Sequence, residues 1–135
     1  MPHHNIPSAF FKEAWEYADY PMACIDANNC FVLVNTAFER LLGYSSAELC
    51  GKTWMEFTSQ TDVGGDLASV EALIDGRIDS YTLEKDYIHK RGRSIPVVLT
   101  VRRFPRESQL PLLYLSKEAP VSTITRPEML SLERE

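Results

Sequence analysis

ACIDANNCFVLVNTAFERLLGYSSAELCGKTW, residues 23–54, sets two short strands, a turn and two capped helices in immediate succession. Met22–Ile25 and Phe31–Val34 are apolar or β-branched runs, and the Asp26-Ala27-Asn28-Asn29 segment between them is turn chemistry, since Asp and Asn tolerate left-handed dihedrals. A hairpin follows from that pattern. Asn35 stands where the second strand stops and the helical spacing of Ala37, Leu41 and Leu42 starts, so its side-chain oxygen is placed to cap the helix. Gly43 ends that helix. Ser45 with Glu48 three positions on is a capping box for a second short helix, anchored by Leu49 and terminated at Gly51.

Outward from this unit, residues 8–19 carry Phe10, Phe11, Ala14, Trp15 and Ala18 at helical spacing, with Lys12, Glu13 and Glu16 opposite. Ser8 is the expected cap, and Pro21 closes the segment. After Gly51, the Thr53-Trp54-Met55-Glu56-Phe57 run is long enough for a single turn. Thr61-Asp62 is then the expected cap of a longer helix bearing Leu67, Val70, Leu73 and Ile74 and ending at Gly76; Gly64 and Gly65 weaken its start. Three strands are expected next. Residues 81–89 alternate, with Tyr81, Leu83, Lys85, Tyr87 and His89 on one face; Arg91-Gly92-Arg93 turns the chain; residues 94–104 put Val97, Leu99 and Val101 together; residues 110–116 make the last strand. Strands, then helices, then strands predict an α+β domain.

The apolar strand ending at Asp26, the Asn-rich turn, the Asn35-Thr36-Ala37-Phe38 phrase and the Leu42-Gly43-Tyr44-Ser45 corner with Glu48-Leu49 and Gly51-Lys52 together resemble the front half of a PAS domain. The second half agrees in layout: a Tyr-Thr-Leu-Glu-Lys strand, a basic and glycine-bearing hairpin tip, and a valine-rich strand. The resemblance spans residues 22–117. It implies a five-stranded antiparallel sheet with helices on one face, preceded by an N-terminal amphipathic helix. The expected organisation is a cap helix at 1–21, the PAS domain at 22–118 and a linker or tail at 119–135. At its exit the chain departs from the family: Leu115-Ser116-Lys117-Glu118 stands where many signalling members have an Asp, an apolar residue and Thr.

What the resemblance implies about a site is a cavity between sheet and helices. Its expected lining is Ile25, Val34, Asn35, Phe38, Leu42, Thr53, Trp54, Phe57, Leu73, Leu83, Tyr87, Val97, Leu99 and Leu113, with Val32, Leu41, Val70 and Ile74 as further wall. An apolar wall with a few polar groups suits a small apolar ligand, and a filled core has the same composition. Phe10, Phe11 and Trp15 are the expected dimer contacts, with the outer sheet face, since helices preceding the core in PAS-like proteins often supply a dimer interface.

The cofactor is left unknown. Haem is disfavoured because residues 62–76 contain no histidine, and a covalent flavin because the Asn-Cys-Arg motif of light-oxygen-voltage members is replaced by Thr53-Trp54-Met55. Non-covalent flavin would stack on Trp54 or Tyr44.

Composition narrows the rest. A 44% apolar chain of 135 residues with net charge −5 reads as one acidic globular domain without the basic footprint of a nucleic-acid binder. No apolar run reaches the roughly 20 residues of a membrane span, so a cytoplasmic location is expected. Cys24, Cys30 and Cys50 lack metal or disulfide spacing, and no metal site is expected. No catalytic grouping is evident, so an enzyme is not expected. The expected role is a PAS sensory module of a signal-transduction or transcription-regulating protein, such as a sensor histidine kinase. It would bind a small ligand, form a homodimer, and act on an output domain or partner protein. The alternative is a ligand-free dimerisation domain.

Overall fold

A computed structural model describes residues 7–104 and the backbone of Leu112–Glu118. Its elements in order are α1 (Ser8–Tyr17), β1 (Met22–Ile25), β2 (Phe31–Val34), α2 (Thr36–Leu42), α3 (Ser46–Leu49), a 3-10 turn (Trp54–Phe57), α4 (Gln60–Ile74), β3 (Ser80–Ile88), β4 (Ser94–Arg103) and β5 (Leu112–Glu118). This is the α+β arrangement the element order predicts. All strand pairings are antiparallel, and the strands hydrogen-bond in the order β2-β1-β5-β4-β3.

The core lies between the inner sheet face and the helices. Along β4, Ile95, Val97, Leu99 and Val101 are buried in strict alternation. They join Phe31 and Val34 of β2, Phe38 and Leu42 of α2, Leu49 of α3, Trp54 and Phe57 of the 3-10 turn, and Val70 and Leu73 of α4 in one cluster. Each such side chain contributes about 1.5–3 kcal/mol by leaving water.

Asn35 explains why strand, helix and entry segment meet where they do. Its Oδ1 accepts from the backbone N–H of Phe38 at 3.0 Å, capping α2, and from the N–H of Met22 at 3.0 Å; its Nδ2 donates to the carbonyl of Tyr20 at 3.0 Å. The side chain is fully buried. Asn35→Ala is therefore expected to cost about 2 kcal/mol, the sum of a lost cap and of backbone groups left without partners. Urea denaturation checks this, and a loss under about 0.5 kcal/mol would contradict the assignment.

A second corner is fixed from outside. Gly43 ends α2 at φ 82°, and a Cβ there would stand 2.5 Å from Cε1 of His89, so the imidazole packs directly on the glycine. The neighbouring Lys90 N–H donates to the carbonyl of Leu42 at 3.0 Å, and its ammonium reaches Glu48 at 2.7 Å. The β3–β4 hairpin tip is thereby clasped to the α2–α3 corner. The Ser45–Glu48 capping box forms there as predicted.

Three boundaries differ from the sequence reading. Pro7, not Ser8, stands at the N-cap position of α1. At α4 that position falls to Ser59 rather than to Thr61 or Asp62. The Asp62 carboxylate turns instead to the Ser59 hydroxyl at 2.9 Å and to the N–H of Asp86 at 2.8 Å, tying the helix to the β3 edge. The last strand is Leu112–Glu118, two residues beyond the predicted end. The predicted tail at 119–135 lies outside the described residues.

Candidate functional site

β3 carries a charge into the core. Its inward face is Tyr81, Leu83, Lys85 and Tyr87, and the Lys85 side chain is 1% exposed. On α4, Asp66 shares a face with Val70 and Leu73, the i, i+4 and i+7 positions, and its side chain is 0% exposed. The two meet at the helix–sheet junction, with Lys85 Nζ 2.5 Å from Asp66 Oδ2. Tyr81 donates its hydroxyl to Asp66 Oδ1 at 2.5 Å, so each carboxylate oxygen has a donor.

The ammonium is held from other sides as well. Lys85 donates to Thr58 Oγ1 at 3.0 Å, and the Thr58 hydroxyl donates in turn to the carbonyl of Trp54 at 3.0 Å. Nζ lies 4.6 Å from the centre of the Trp54 ring and 4.7 Å from that of Tyr87, within cation–π range of both. Burial pushes the Lys85 pKa below the usual lysine range, opposed by the Asp66 and Asp62 carboxylates. Removing two charges from water costs several kcal/mol per ion, which their attraction returns only when geometry and hydrogen bonds are complete. Here the partners are complete.

Concavities among the described residues include one beside this centre and one apart from it. One of about 330 Å³ opens at the β3 edge and is lined by Thr61, Asp62, Glu84, Lys85, Asp86, Pro96 and Val97. Desolvation and the neighbouring Asp62 raise the pKa of Asp86 there. The other, about 510 Å³, runs between α1 and β2 and is lined by Phe11, Lys12, Trp15, Glu16, Leu33, Val34 and Ser46. α1 has no buried residue; Phe10 is 58%, Phe11 52% and Tyr17 80% exposed.

Of the expected cavity lining, Ile25, Val34, Phe38, Leu42, Trp54, Phe57, Leu73, Tyr87, Val97 and Leu99 come together in the buried cluster, with Leu83 packed against it. Asn35 is buried, but its polar atoms serve the chain as described above. Thr53 sits apart in a bridge to Cys30. The side chain of Leu113 lies outside the described residues. Two wall positions do not belong: Val32 is 37% and Ile74 39% exposed, because β2 turns Val32 outward and Ile74 ends α4. The ring faces considered for flavin stacking are engaged within the fold, Trp54 by Lys85 and Tyr44 by Phe57 at 4.9 Å and Lys90 at 5.6 Å.

Asp66, Thr58 and the role of Lys85 escaped the sequence reading. The signal was present: Lys85 is in phase with Tyr81 and Tyr87, and Asp66 is one helical turn before Val70. A charged residue on an apolar face at both places marks a pair.

Among the described residues no group of three or more His, Cys, Asp or Glu side chains could hold a metal ion, and no helix is long and apolar enough to cross a membrane. The thiols differ in environment. Cys24 is buried and its pKa is pushed up to about 11 by desolvation. Cys30 and Cys50 are half-buried, and Cys50 Sγ donates to the carbonyl of Val32 at 3.4 Å. Iodoacetamide at pH 8 under native conditions is expected to modify Cys30 and Cys50 at least tenfold faster than Cys24, since the thiolate is the nucleophile. Peptide mapping by mass spectrometry checks it, and equal rates at all three would contradict the burial.

Comparison with known proteins places this geometry. The family profile described as "PAS domain" matches residues 19–113. Over 129 residues, 96% of its length, the chain is 30% identical to the protein named "Probable diguanylate cyclase DgcE" of Escherichia coli (strain K12), and it spans 12% of that relative's length. The crystal structure of a PAS domain from Colwellia psychrerythraea superposes with a TM-score of 0.74 at 17% identity, over 83% of this chain and 96% of that one. A domain of a sensory box sensor histidine kinase/response regulator from Geobacter sulfurreducens gives 0.70 at 20% identity, over 82% and 93%.

Proposed function

The chain belongs to the PAS domain family, and from that membership we propose that it is the ligand-responsive sensory module of a cytoplasmic signalling protein. Signal sensing is the family's common role, and the neighbours include a sensor histidine kinase domain and a cyclase relative. The observation that carries the ligand-responsive reading is the Lys85–Asp66 pair. A purely structural core is as stable or more so with apolar residues at such a place, so an ion pair joining one helix to the sheet suits an element with two arrangements. The chain has no catalytic task in this reading. Its output is a change at the α4–sheet junction, passed to an attached effector domain or partner protein.

Absorbance and intact-complex mass spectrometry of the protein as purified test the ligand. Visible absorption or a stoichiometric added mass supports it. A colourless, mass-exact protein that no small molecule stabilises would sink it.

A second reading, a ligand-free dimerisation domain, is favoured by α1. Its exposed Phe10, Phe11 and Tyr17, and the groove beside Phe11 and Trp15, leave an aromatic surface uncovered. In that case Phe11→Ala with Trp15→Ala is expected to turn a dimer into a monomer by light scattering, a shift in Kd of at least tenfold, with circular dichroism unchanged. A monomeric parent protein excludes this reading.

A further inference from the structure

We propose that the Lys85–Asp66 junction is a carboxylate-exchange site, in which Asp66 is a tethered occupant that a small free monocarboxylate replaces as the start of α4 moves away. The inference rests on the ligand-sensor reading above and names the ligand's chemical class.

Three observations carry it. First, the donors to both oxygens of the carboxylate lie outside α4. The Lys85 ammonium and the Tyr81 hydroxyl, which contact the two Asp66 oxygens, come from β3, and Thr58, Trp54 and Tyr87, which hold the ammonium, come from β3 and the 3-10 region. The Asp66 anion belongs to the helix, as does Asp62, whose charge also acts on Lys85. Second, Gly64 and Gly65 directly precede Asp66, and a Cβ on either would meet nothing within 4 Å. Packing does not require glycine at these positions. Each glycine still weakens the helix relative to alanine, so the first turns of α4, which lead into Asp66, have low intrinsic helix stability. They are held at the sheet by the Asp62 tie to Asp86, which exchange must release. Third, the Asp66 side chain beyond its Cα is chemically an acetate, and the donors address its two oxygens separately. A neutral amide of equal size could turn its oxygen to the ammonium and its nitrogen to the Tyr81 hydroxyl, but it would give up the charge pairing with Lys85 that a carboxylate keeps.

The experiment uses the whole chain with Trp15→Phe, which leaves Trp54 as the sole tryptophan beside the ammonium. Sodium formate, sodium acetate and acetamide are titrated at fixed ionic strength, reading Trp54 fluorescence, ellipticity at the helix band and the thermal midpoint. The parent is expected to respond weakly but saturably to the two carboxylates, with a loss of helix signal, and not to acetamide. In Asp66→Ala the internal competitor is gone, and acetate or formate should bind at least tenfold more tightly and raise the midpoint. Asp66→Ser, which also removes the carboxylate and leaves most of its space open, serves the same purpose if the alanine variant does not fold. The double variant Lys85→Met/Asp66→Leu should be silent.

A folded Asp66 variant with no carboxylate-specific response overturns the proposal, and so does an equal response in the double variant. A response in the Asp66 variants with none in the parent also overturns it, since exchange then does not occur in the natural protein. A different molecule found bound to the purified protein would sink this inference and leave the sensor reading standing.

Discussion

Replacing Lys85 with alanine is expected to lower the free energy of unfolding by about 3–5 kcal/mol, the range for breaking a buried pair and stranding one charge. Asp66 would keep the Tyr81 hydroxyl but lose the cation, with the helix face around it closed to water. The paired change Lys85→Met/Asp66→Leu should cost under about 1 kcal/mol or stabilise, because shape is roughly kept and no charge is left behind. Urea titration of parent, both single variants and the double completes the cycle. A large coupling energy is the expected result. If Lys85→Ala costs less than about 1 kcal/mol, the ion pair is not closed as described, and the exchange site has no foundation.

Trp54→Ala should be nearly as damaging, about 3–5 kcal/mol, the usual penalty for a large aromatic removed from a core. Trp54 is fully buried, donates from Nε1 to Asn29 Oδ1 at 3.0 Å, and presents its ring to the Lys85 ammonium. Two losses therefore add to the cavity: the Asn29 turn loses its anchor and the cation loses one of its walls. Trp54→Phe separates them. It keeps an aromatic face and gives up the indole N–H, and it should cost only about 1–2 kcal/mol. Equal penalties for alanine and phenylalanine would show that the hydrogen bond to Asn29, and not volume, fixes this residue.

The parts of this fold that were legible in the sequence are those set by local chemistry. The Asn35 cap on α2, the Gly43 helix end, the Ser45–Glu48 box and the Gly92 turn are each made within a few residues of their own position, so the residue types announce them. The ties of Asn35 to Met22 and Tyr20 and of Gly43 to His89 are not announced. Much of the buried core was legible for a related reason: alternation along β4 and spacing along α4 indicate which side faces in, with Ile74 at the helix end the exception. Asp62 shows where this ends. As a residue beside a helix start it reads as a cap, yet a partner 24 positions away on β3 takes its carboxylate. Lys85 and Asp66 are a stronger case: each stands in phase with apolar neighbours on its own element, but only their meeting across the junction shows which charge answers which. The exposed aromatic face of α1 was also visible in the sequence, but periodicity does not say whether a face is covered, and here no α1 residue is buried.

The hairpin clasp has a practical consequence for following this domain in motion. Lys90, Arg91 and Arg93 put three trypsin-sensitive bonds into one loop tip, the kind of place where proteases ordinarily cut first. That tip is bound to the α2–α3 corner through the Leu42 carbonyl, the Gly43 surface and the Glu48 carboxylate, and closed on itself by hydrogen bonds between His89 and Arg93 and between Gly92 and His89. A protease needs the segment drawn out, so cutting must wait for the clasp to let go. When reclosing outpaces cleavage, the nicking rate measures the fraction of molecules with the tip released. The native chain thus carries its own unlabelled clock for detachment of the β3–β4 arm.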